Sequence, residues 1–480
     1  MAGQHNEHSY HPRGHPVSKQ SRGWRIGSTI LVIVAFVMGL RALPPIVESV
    51  SPPFLTHPLV IKDFIQEYVG ARAVRDDVNP YAPIYSLIRD YLGFESYRYL
   101  HPTPHPPPTL VLAVPLTFVS YPDAARIWLV VELLSLVASV HLLTGMTRRQ
   151  PRLWLSLVLS TAALAWFPVR DELMLGQLML PMLLLLVGSQ RLLRDGHDVA
   201  AGALIGASLI LKPIVWPLLL YFAITRAWRA LTSATGVLAL GYLLAVWGMG
   251  LSSVLFYLTD VLPDAATPFR GSFLNISAWA PGWRFAVGTG SPYHYWVQAP
   301  PLIDAPNLGK VLTVGIPLLV LIAGLRWACA SRNPERALGI LVCVSLLVSP
   351  ITWLHYLVLL LIPLQQLVKT VVERGFPRSM IYRTIAIVAL LLPGSPDGVV
   401  RLERFAQTSA DIVSVVSWQA FLSMLTLLPT LGVLALAVEL GRLPNLAFDA
   451  RRHALSPNLE HSDDPSTARE PDPVVPSIGR

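Results

Sequence analysis

Residues 24–43 read WRIGSTILVIVAFVMGLRAL, and residues 62–68, shortly after, read KDFIQEY. The first stretch is too long for the core of a cleaved leader and long enough to cross a bilayer as an uncleaved helix. The second places a carboxylate, Asp63, just beyond that crossing, beside the lipid surface. An acidic side chain at a membrane boundary loses solvation and is kept more often for chemistry than for packing. Asp63 is therefore a candidate general base.

The rest of the chain agrees with a membrane class. Of 480 residues, 53% are hydrophobic and only 14% charged, with a mean hydropathy of +0.52, whereas a soluble domain of this length carries far more charge. The net charge of +8 lies in short basic clusters between apolar runs, which is where topology signals belong, and nucleic acid is excluded as a partner. Cys329 and Cys343, the two cysteines, suit neither a disulfide framework nor a zinc site.

Further apolar runs fall at roughly 124–147, 152–169, 173–190, 199–225, 231–250, 308–328, 335–349, 353–372, 380–394 and 412–440. Between them lie Arg148/Arg149/Arg152, Arg191/Arg194, Arg226/Arg229, Arg326/Arg332/Arg336 and Arg374/Arg378/Arg383. These clusters occupy every second connection, as the positive-inside rule requires of a chain with its N-terminus in the cytoplasm. Parity then constrains two pieces. Residues 108–118, short and flanked by prolines, are expected as a half-helix dipping into the bilayer. Residues 199–225, broken at Lys212-Pro213, must return to the side they began on, which puts Lys212 at an outward tip. The outer face then receives loop 45–107, Arg170-Asp171-Glu172 as a solvated turn, loop 251–307, the turn at Ser349-Pro350 and loop 395–411.

Residues 1–23, with His5, His8, His11 and His15, and the Pro- and Ser-rich stretch 441–480 are expected to be disordered cytoplasmic tails flanking a transmembrane domain over 24–440. The expected class is an all-α polytopic membrane protein with about 11–12 crossings plus surface and re-entrant helices.

In loop 45–107, residues 63–77 have helical character, with Phe64, Tyr68 and Ala71 on one apolar stripe, and Asn79-Pro80-Tyr81 ends the segment. An amphipathic helix along the membrane surface is expected, with Asp63 at its dipole-favoured N-terminus. The same position equally suits a plain N-cap. His101-Pro102 and Thr103-Pro104-His105-Pro106-Pro107-Pro108 form a stiff run suited to the wall of a site, which makes His101 and His105 candidate polar groups. Lys212 at the broken tip and His355 just past a helix break are the candidate phosphate ligands, against a snorkelling lysine and an interfacial Trp353-Tyr356 cluster as their ordinary alternatives. Loop 251–307 carries Phe269, Phe273, Trp279, Trp283, Phe285, Tyr293, Tyr295 and Trp296 with Asn275 and His294, aromatic faces that stack on sugars or line an interface. The loop is expected to cover an acceptor.

The order Asp63-Phe64, Tyr68, Ala71-Arg72-Ala73, Asn79-Pro80-Tyr81, His105-Pro106-Pro107, Gly176-Gln177, Leu211-Lys212-Pro213 and Ser349 to Tyr356 resembles glycosyltransferase family 87, of the GT-C membrane glycosyltransferase fold. The resemblance covers about residues 24–395 and rests on the order of motifs rather than on any one. It implies an inverting transferase that moves a sugar, usually mannose and in some members arabinofuranose, from a polyprenyl-phosphate donor to a lipid or glycan acceptor outside the cytoplasmic membrane. Asp63 matches the family's catalytic aspartate, with Lys212 and His355 at the donor phosphate. Tyr68, Arg72, Asn79, Tyr81, His101, His105, Gln177, Asn275, Trp353 and Tyr356 are the candidate sugar and acceptor contacts. The chain departs from the family where His105 replaces the Tyr of Tyr-Pro-Pro, Met179 replaces a common Asn, and Tyr356 replaces a second His.

Independently of the resemblance, no Gly-rich phosphate loop follows a strand and no Asp-x-Asp pair is present, so a nucleotide-sugar donor is disfavoured and no cofactor or divalent cation has a motif to bind it. The rival class is a transporter or flippase of a lipid-linked solute, since broken helices with an intramembrane lysine also mark such sites. No duplicated half supports it.

Overall fold

The computed structural model describes residues 19–55, 62–96, 99–147, 152–291, 294–331, 333–392 and 423–443. The four N-terminal histidines, Tyr293, loop 395–411 and most of the C-terminal tail lie outside the described residues. Helix α1 (Lys19–Glu48) is followed by a short turn, α2 (Pro52–Leu55), then α3 (Ile65–Arg75), α4 (Ile84–Leu92) and α5 (Pro107–Ala113), which tightens into a 3₁₀ turn over Val114–Phe118. Next come α6 (Tyr121–Thr147), α7 (Leu153–Ala163), α8 (Phe167–Leu175), α9 (Met179–Arg194), α10 (Asp198–Leu211) and α11 (Pro217–Ile224). The chain continues through α12 (Trp228–Phe256), α13 (Leu262–Asp264), α14 (Ala280–Ala286), an antiparallel hairpin of β1 (Thr289–Ser291) and β2 (His294–Ala299), α15 (Pro306–Ala330), α16 (Pro334–Val348), α17 (Leu361–Glu373), α18 (Arg378–Leu391) and α19 (Leu428–Arg442).

The chain is an all-α polytopic membrane protein. Among the described residues, six helices are long and apolar enough to cross a bilayer, and the pair α7 and α8, bent by 87°, makes a seventh if it counts as one broken span. That is fewer than the eleven or twelve crossings expected, because the remaining apolar helices are below the usual spanning length. Large apolar side chains such as Leu31, Leu243, Trp247, Val311 and Leu319 point outward from α1, α12 and α15, as lipid-facing surfaces require. The middle of the bundle is α16, buried on every side from Ala337 to Val348, with α9, which buries Leu180, Leu183, Leu186 and Val187, beside it.

Small residues set the path of the broken segment. Gly202 packs against Ala230, Gly206 against Ala234 and Gly241 against Ile210, so α10 and α12 run in the same direction. The chain therefore turns back after α10 and α11 returns it to the start of α12, with Lys212 at the turn as expected. The approach is close: a Cβ on Gly202 would lie 2.2 Å from the Ala230 carbonyl oxygen, the small-residue packing that substitutes for a hydrophobic drive between helices in lipid.

The connections rich in arginine gather at one end. Arg194 lies 3.3 Å from Glu335 and donates to the Met146 carbonyl at 3.1 Å, and Arg336 donates to the Leu443 carbonyl at 2.6 Å. Gln177 and Lys212 lie at the other end, a distance set by the 16 residues of α9, about 24 Å at 1.5 Å per residue. At the arginine end Asn333 caps α16, its Oδ1 accepting the amides of Glu335 and Arg336, with Pro334 in the first helical turn.

Three expectations are corrected. Helix α3 does not lie along a surface, because nine of its eleven residues are buried, Glu67 on the polar side included. Arg170-Asp171-Glu172 is not a solvated turn: it belongs to α8, where Glu172 is fully buried. Residues 251–307 are not one long loop, since α12 continues past a kink at Gly250 into a π-helical turn over Tyr257–Val261, and α14 and the β1–β2 hairpin follow.

Candidate functional site

Asp63 precedes α3 between two anchored neighbours. Lys62 Nζ donates to Ser49 Oγ and to the Leu173 carbonyl, both at 2.9 Å. The Phe64 amide donates to the Leu175 carbonyl at 3.1 Å, and the Phe64 ring stacks on Trp128 with centroids 5.7 Å apart. Phe64, not Asp63, occupies the N-cap, and no side chain caps the helix, so the capping alternative falls. The Asp63 carboxylate is turned to the site instead. Tyr99 donates its hydroxyl to Oδ1, and Gln177 Nε2 donates to Oδ2 at 3.0 Å.

The second charged group arrives from the hairpin tip. Lys212 is extended (φ −151°, ψ 133°), which with Pro213 ends α10 and aims the side chain inward. Its Nζ donates to Gln177 Oε1 at 2.6 Å and to the Tyr356 hydroxyl at 3.2 Å, and lies 4.7 Å from the Tyr356 ring centroid. At 8% exposed it is not a snorkelling lysine. Thr109 of α5 donates to the carbonyls of Ile210 and Leu211 at 2.7 and 3.0 Å, pairing oxygens that the broken helix leaves open. The short proline-flanked helix thus braces the tip.

Tyr356 and His355 sit on a seven-residue 3₁₀ segment, Leu354–Leu360, every residue of which is buried. Runs of this length are uncommon. The turn before it is fixed by Asn275, whose Oδ1 accepts the Thr352 amide at 3.0 Å and whose Nδ2 donates to the Pro350 carbonyl at 3.1 Å. His355 meets Tyr356 edge-on with centroids at 4.8 Å, and its Nδ1 lies 3.7 Å from Asp171 Oδ2. Its Nε2 is buried and has no hydrogen-bond partner among the described residues.

Around this chain lie further ionisable groups. His105 Nε2 is 3.1 Å from Glu67 Oε1, both side chains 2% exposed. Burial pushes Glu67 up to about 8 against the pull of the Lys212 ammonium, and pushes the His105 imidazole well below its usual value. Desolvation is the first cause in both, and each is held neutral at pH 7. Burial likewise pulls Lys62 down to about 8. Glu172 Oε1 accepts the amides of Met179 and Leu180 at 2.5 and 3.4 Å, so at the position where the family commonly has Asn, Met179 contributes a backbone group. Among the described residues no set of three His, Cys, Asp or Glu side chains converges to hold a metal ion.

The other candidates are placed as follows. His101 lies beside Tyr99 and Phe269, and Trp353 meets Phe269 from the other side. Tyr68 donates to the Val119 carbonyl at 2.9 Å, and Tyr81 donates to the His105 carbonyl at 3.2 Å while packing on Tyr257. Arg72 pairs with Asp76 at 3.7 Å and lies over the Tyr91 ring. Asn79 Oδ1 accepts the Tyr81 amide in its turn. These four, with Asn275, shape the walls rather than join the Asp63–Gln177–Lys212–Tyr356 chain. Phe273 is buried, Trp279 donates to the Val348 carbonyl at 2.9 Å, and Arg270 lies over Trp283. The side chains of His294, Tyr295 and Trp296 lie outside the described residues. Tyr99 is not among the expected site groups, and Asp171 and Glu172, expected in a solvated turn, stand next to the site instead.

A groove of about 360 Å³ opens on the apolar flank of the bundle. Its walls are Leu31, Val34 and Met38 of α1, Trp166 and Phe167 at the α7–α8 elbow, and Leu392 past α18. It also touches Leu354, the neighbour of His355, and the Phe167 ring carries the Arg170 guanidinium at 5.5 Å.

Compared with protein families, residues 103–350 match the one described as glycosyltransferase family 87. Gln177, Lys212, His105 and Asn275 fall inside the match, whereas Asp63 and Tyr99 precede it and His355 and Tyr356 follow it. No curated protein sequence and no solved structure matches the chain.

Proposed function

Because the chain belongs to glycosyltransferase family 87, and is therefore a glycosyltransferase, we propose that it transfers a hexose, preferably mannose, from a polyprenyl-phosphate donor to a lipid or glycan acceptor at the outer face of the cytoplasmic membrane. The single observation that carries this reading is the hydrogen-bonded chain Asp63–Gln177–Lys212–Tyr356, assembled from four segments far apart in sequence. It brings a carboxylate and an ammonium together in one buried network.

Asp63 accepts the proton of the acceptor hydroxyl as that oxygen attacks the anomeric carbon. The bond from the anomeric carbon to the phosphate oxygen breaks, its electron pair leaves with polyprenyl phosphate, and the configuration inverts to an α-linkage. General-base help of this kind contributes about 10²–10⁴-fold. Lys212 and His355 Nε2 are the donors to the departing phosphate, a role in which one well-placed donor contributes about 10²–10³-fold. The apolar groove suits an isoprenoid tail, which supports a lipid-borne donor over a nucleotide sugar. The arginines of the opposite end support an outward site, by the positive-inside rule.

The test is Asp63→Asn in membranes supplied with radiolabelled polyprenyl-phosphate mannose. Protein level stays intact and transfer to lipid or glycan falls by at least about 10²-fold. Full transfer by the variant would remove the reading.

A further inference from the structure

Gln177 stands between the two charged groups of the site. Its Nε2 donates to Asp63 Oδ2 at 3.0 Å and its Oε1 accepts Lys212 Nζ at 2.6 Å. Only this orientation of the amide serves both neighbours, because an ammonium only donates and an ionised carboxylate only accepts. The position is built for it. Gly176 takes φ +70° at the end of α8, and Trp128 Nε1 donates to the carbonyls of Gly176 and Gln177 at 3.0 and 3.2 Å. Gln177 is buried, 4% exposed.

We propose that Gln177 is a positioning residue: a neutral spacer that keeps the Lys212 ammonium off Asp63, leaving the carboxylate basic and the ammonium directed to phosphate. The proposal rests on the reading of Asp63 as the base. A direct ion pair with lysine would lower the carboxylate's pKa by about 1–3 units, and a general base loses proton-transfer drive as its pKa falls. The same pair would engage the cation that the leaving group needs. An amide between them passes on only a dipole. The other groups whose charge or ionisation is felt at Asp63 include Lys62 on its own loop, Glu67 of α3, His101, Tyr121 of α6 and His355 of the 3₁₀ segment. None is altered by substituting Gln177.

The experiment titrates Asp63 in the full chain in lipid nanodiscs by infrared difference spectroscopy, its carboxyl band assigned by loss in Asp63→Asn. Gln177→Leu, or Gln177→Met should the first not fold, lowers the Asp63 pKa by about one unit or more. Adding Lys212→Met to either variant removes that drop. Tyr99→Phe, which takes a donor from the other carboxylate oxygen, raises the pKa. An unchanged or raised value in the Gln177 variants, or a drop that persists without Lys212, overturns the spacer. A fully active Asp63→Asn enzyme overturns the base itself, whatever the titration shows.

Discussion

Glu67, buried beside His105, gives single-residue chemistry a measurable signature. Its folded pKa of about 8 lies above its ordinary 4.5, so the folded state holds the proton more tightly than the unfolded one. The stabilising contribution is complete below about 4.5 and is lost as pH climbs through about 8. Lys62 acts in the adjoining window with the opposite slope: lowered from 10.5 to about 8, it makes the fold gain stability as pH rises between those values. Thermal unfolding of the purified protein should therefore show a midpoint that falls from pH 5 to pH 8. Glu67→Gln should flatten that fall, removing a pH-dependent difference on the order of a few kcal/mol, and a slope unchanged by the substitution would reject the assignment. At this scale the sequence singles out Asp63, Lys212 and His355 as polar groups in apolar or proline-broken surroundings, and Gln177 and Tyr356 only through the order of the family's motifs. Tyr99 is not singled out, since one aromatic in the run Tyr97 to Leu100 looks like any interfacial tyrosine. Glu172 was hidden by its neighbours Arg170 and Asp171, which make a buried carboxylate look like part of a solvated charge run.

Between elements, the strongest dependency is that of the broken hairpin on the short helix beside it. Thr109 pairs the Ile210 and Leu211 carbonyls just before Lys212. Thr109→Val keeps the shape and removes the donor, leaving two buried oxygens open. A destabilisation of about 1–3 kcal/mol is expected, together with a fall in transfer activity as the tip shifts, read by thermal unfolding and by labelled-sugar transfer on the same preparation. Wild-type behaviour in both would mean that the tip is held by other contacts. The helix, break and hairpin were legible from Lys212-Pro213 and from the parity of the arginine clusters, which are one-dimensional signals. The burial of α3 was not. An apolar stripe at Phe64, Tyr68 and Ala71 states that one face is covered, but it is silent on whether another element covers the polar face too, and here Glu67 and Gln66 are covered. The internal order of residues 251–307 escaped for a related reason: α14 and the hairpin are short, α14 is held by Arg284, which donates to the carbonyls of Ser272, Asn275 and Ser423, and the hairpin is tied by Thr289 to Ser423, contacts without local periodicity.

For the whole molecule, orientation and access to lipid are the properties that function requires. In a background of Cys329→Ser and Cys343→Ser, a cysteine at Val78, exposed on the Asp63 side, should react with a membrane-impermeant maleimide applied to intact cells. One at His197, exposed at the arginine end, should react only after the membrane is opened. The reverse pattern would place the site in the cytosol and remove the proposed lipid-carrier transfer.

The groove makes a separate demand. An isoprenoid tail lying along Leu31, Val34 and Met38 would bury apolar area beyond the reacting phosphate, at about 25 cal/mol per Å². Ala35, which lines the same groove, can be enlarged without entering the protein core. Ala35→Trp should therefore lower kcat/KM by about tenfold or more for a full-length polyprenyl donor, the effect of losing about 1.4 kcal/mol of tail binding. A donor carrying one or two isoprene units does not reach past the elbow and should be used as well by the variant as by the parent. The ratio of the two rates cancels any loss of folded protein. Equal losses for both donors would mean that the tail lies elsewhere on the bundle, whereas a selective loss ties the lipid-facing groove to the Asp171–His355 end of the site.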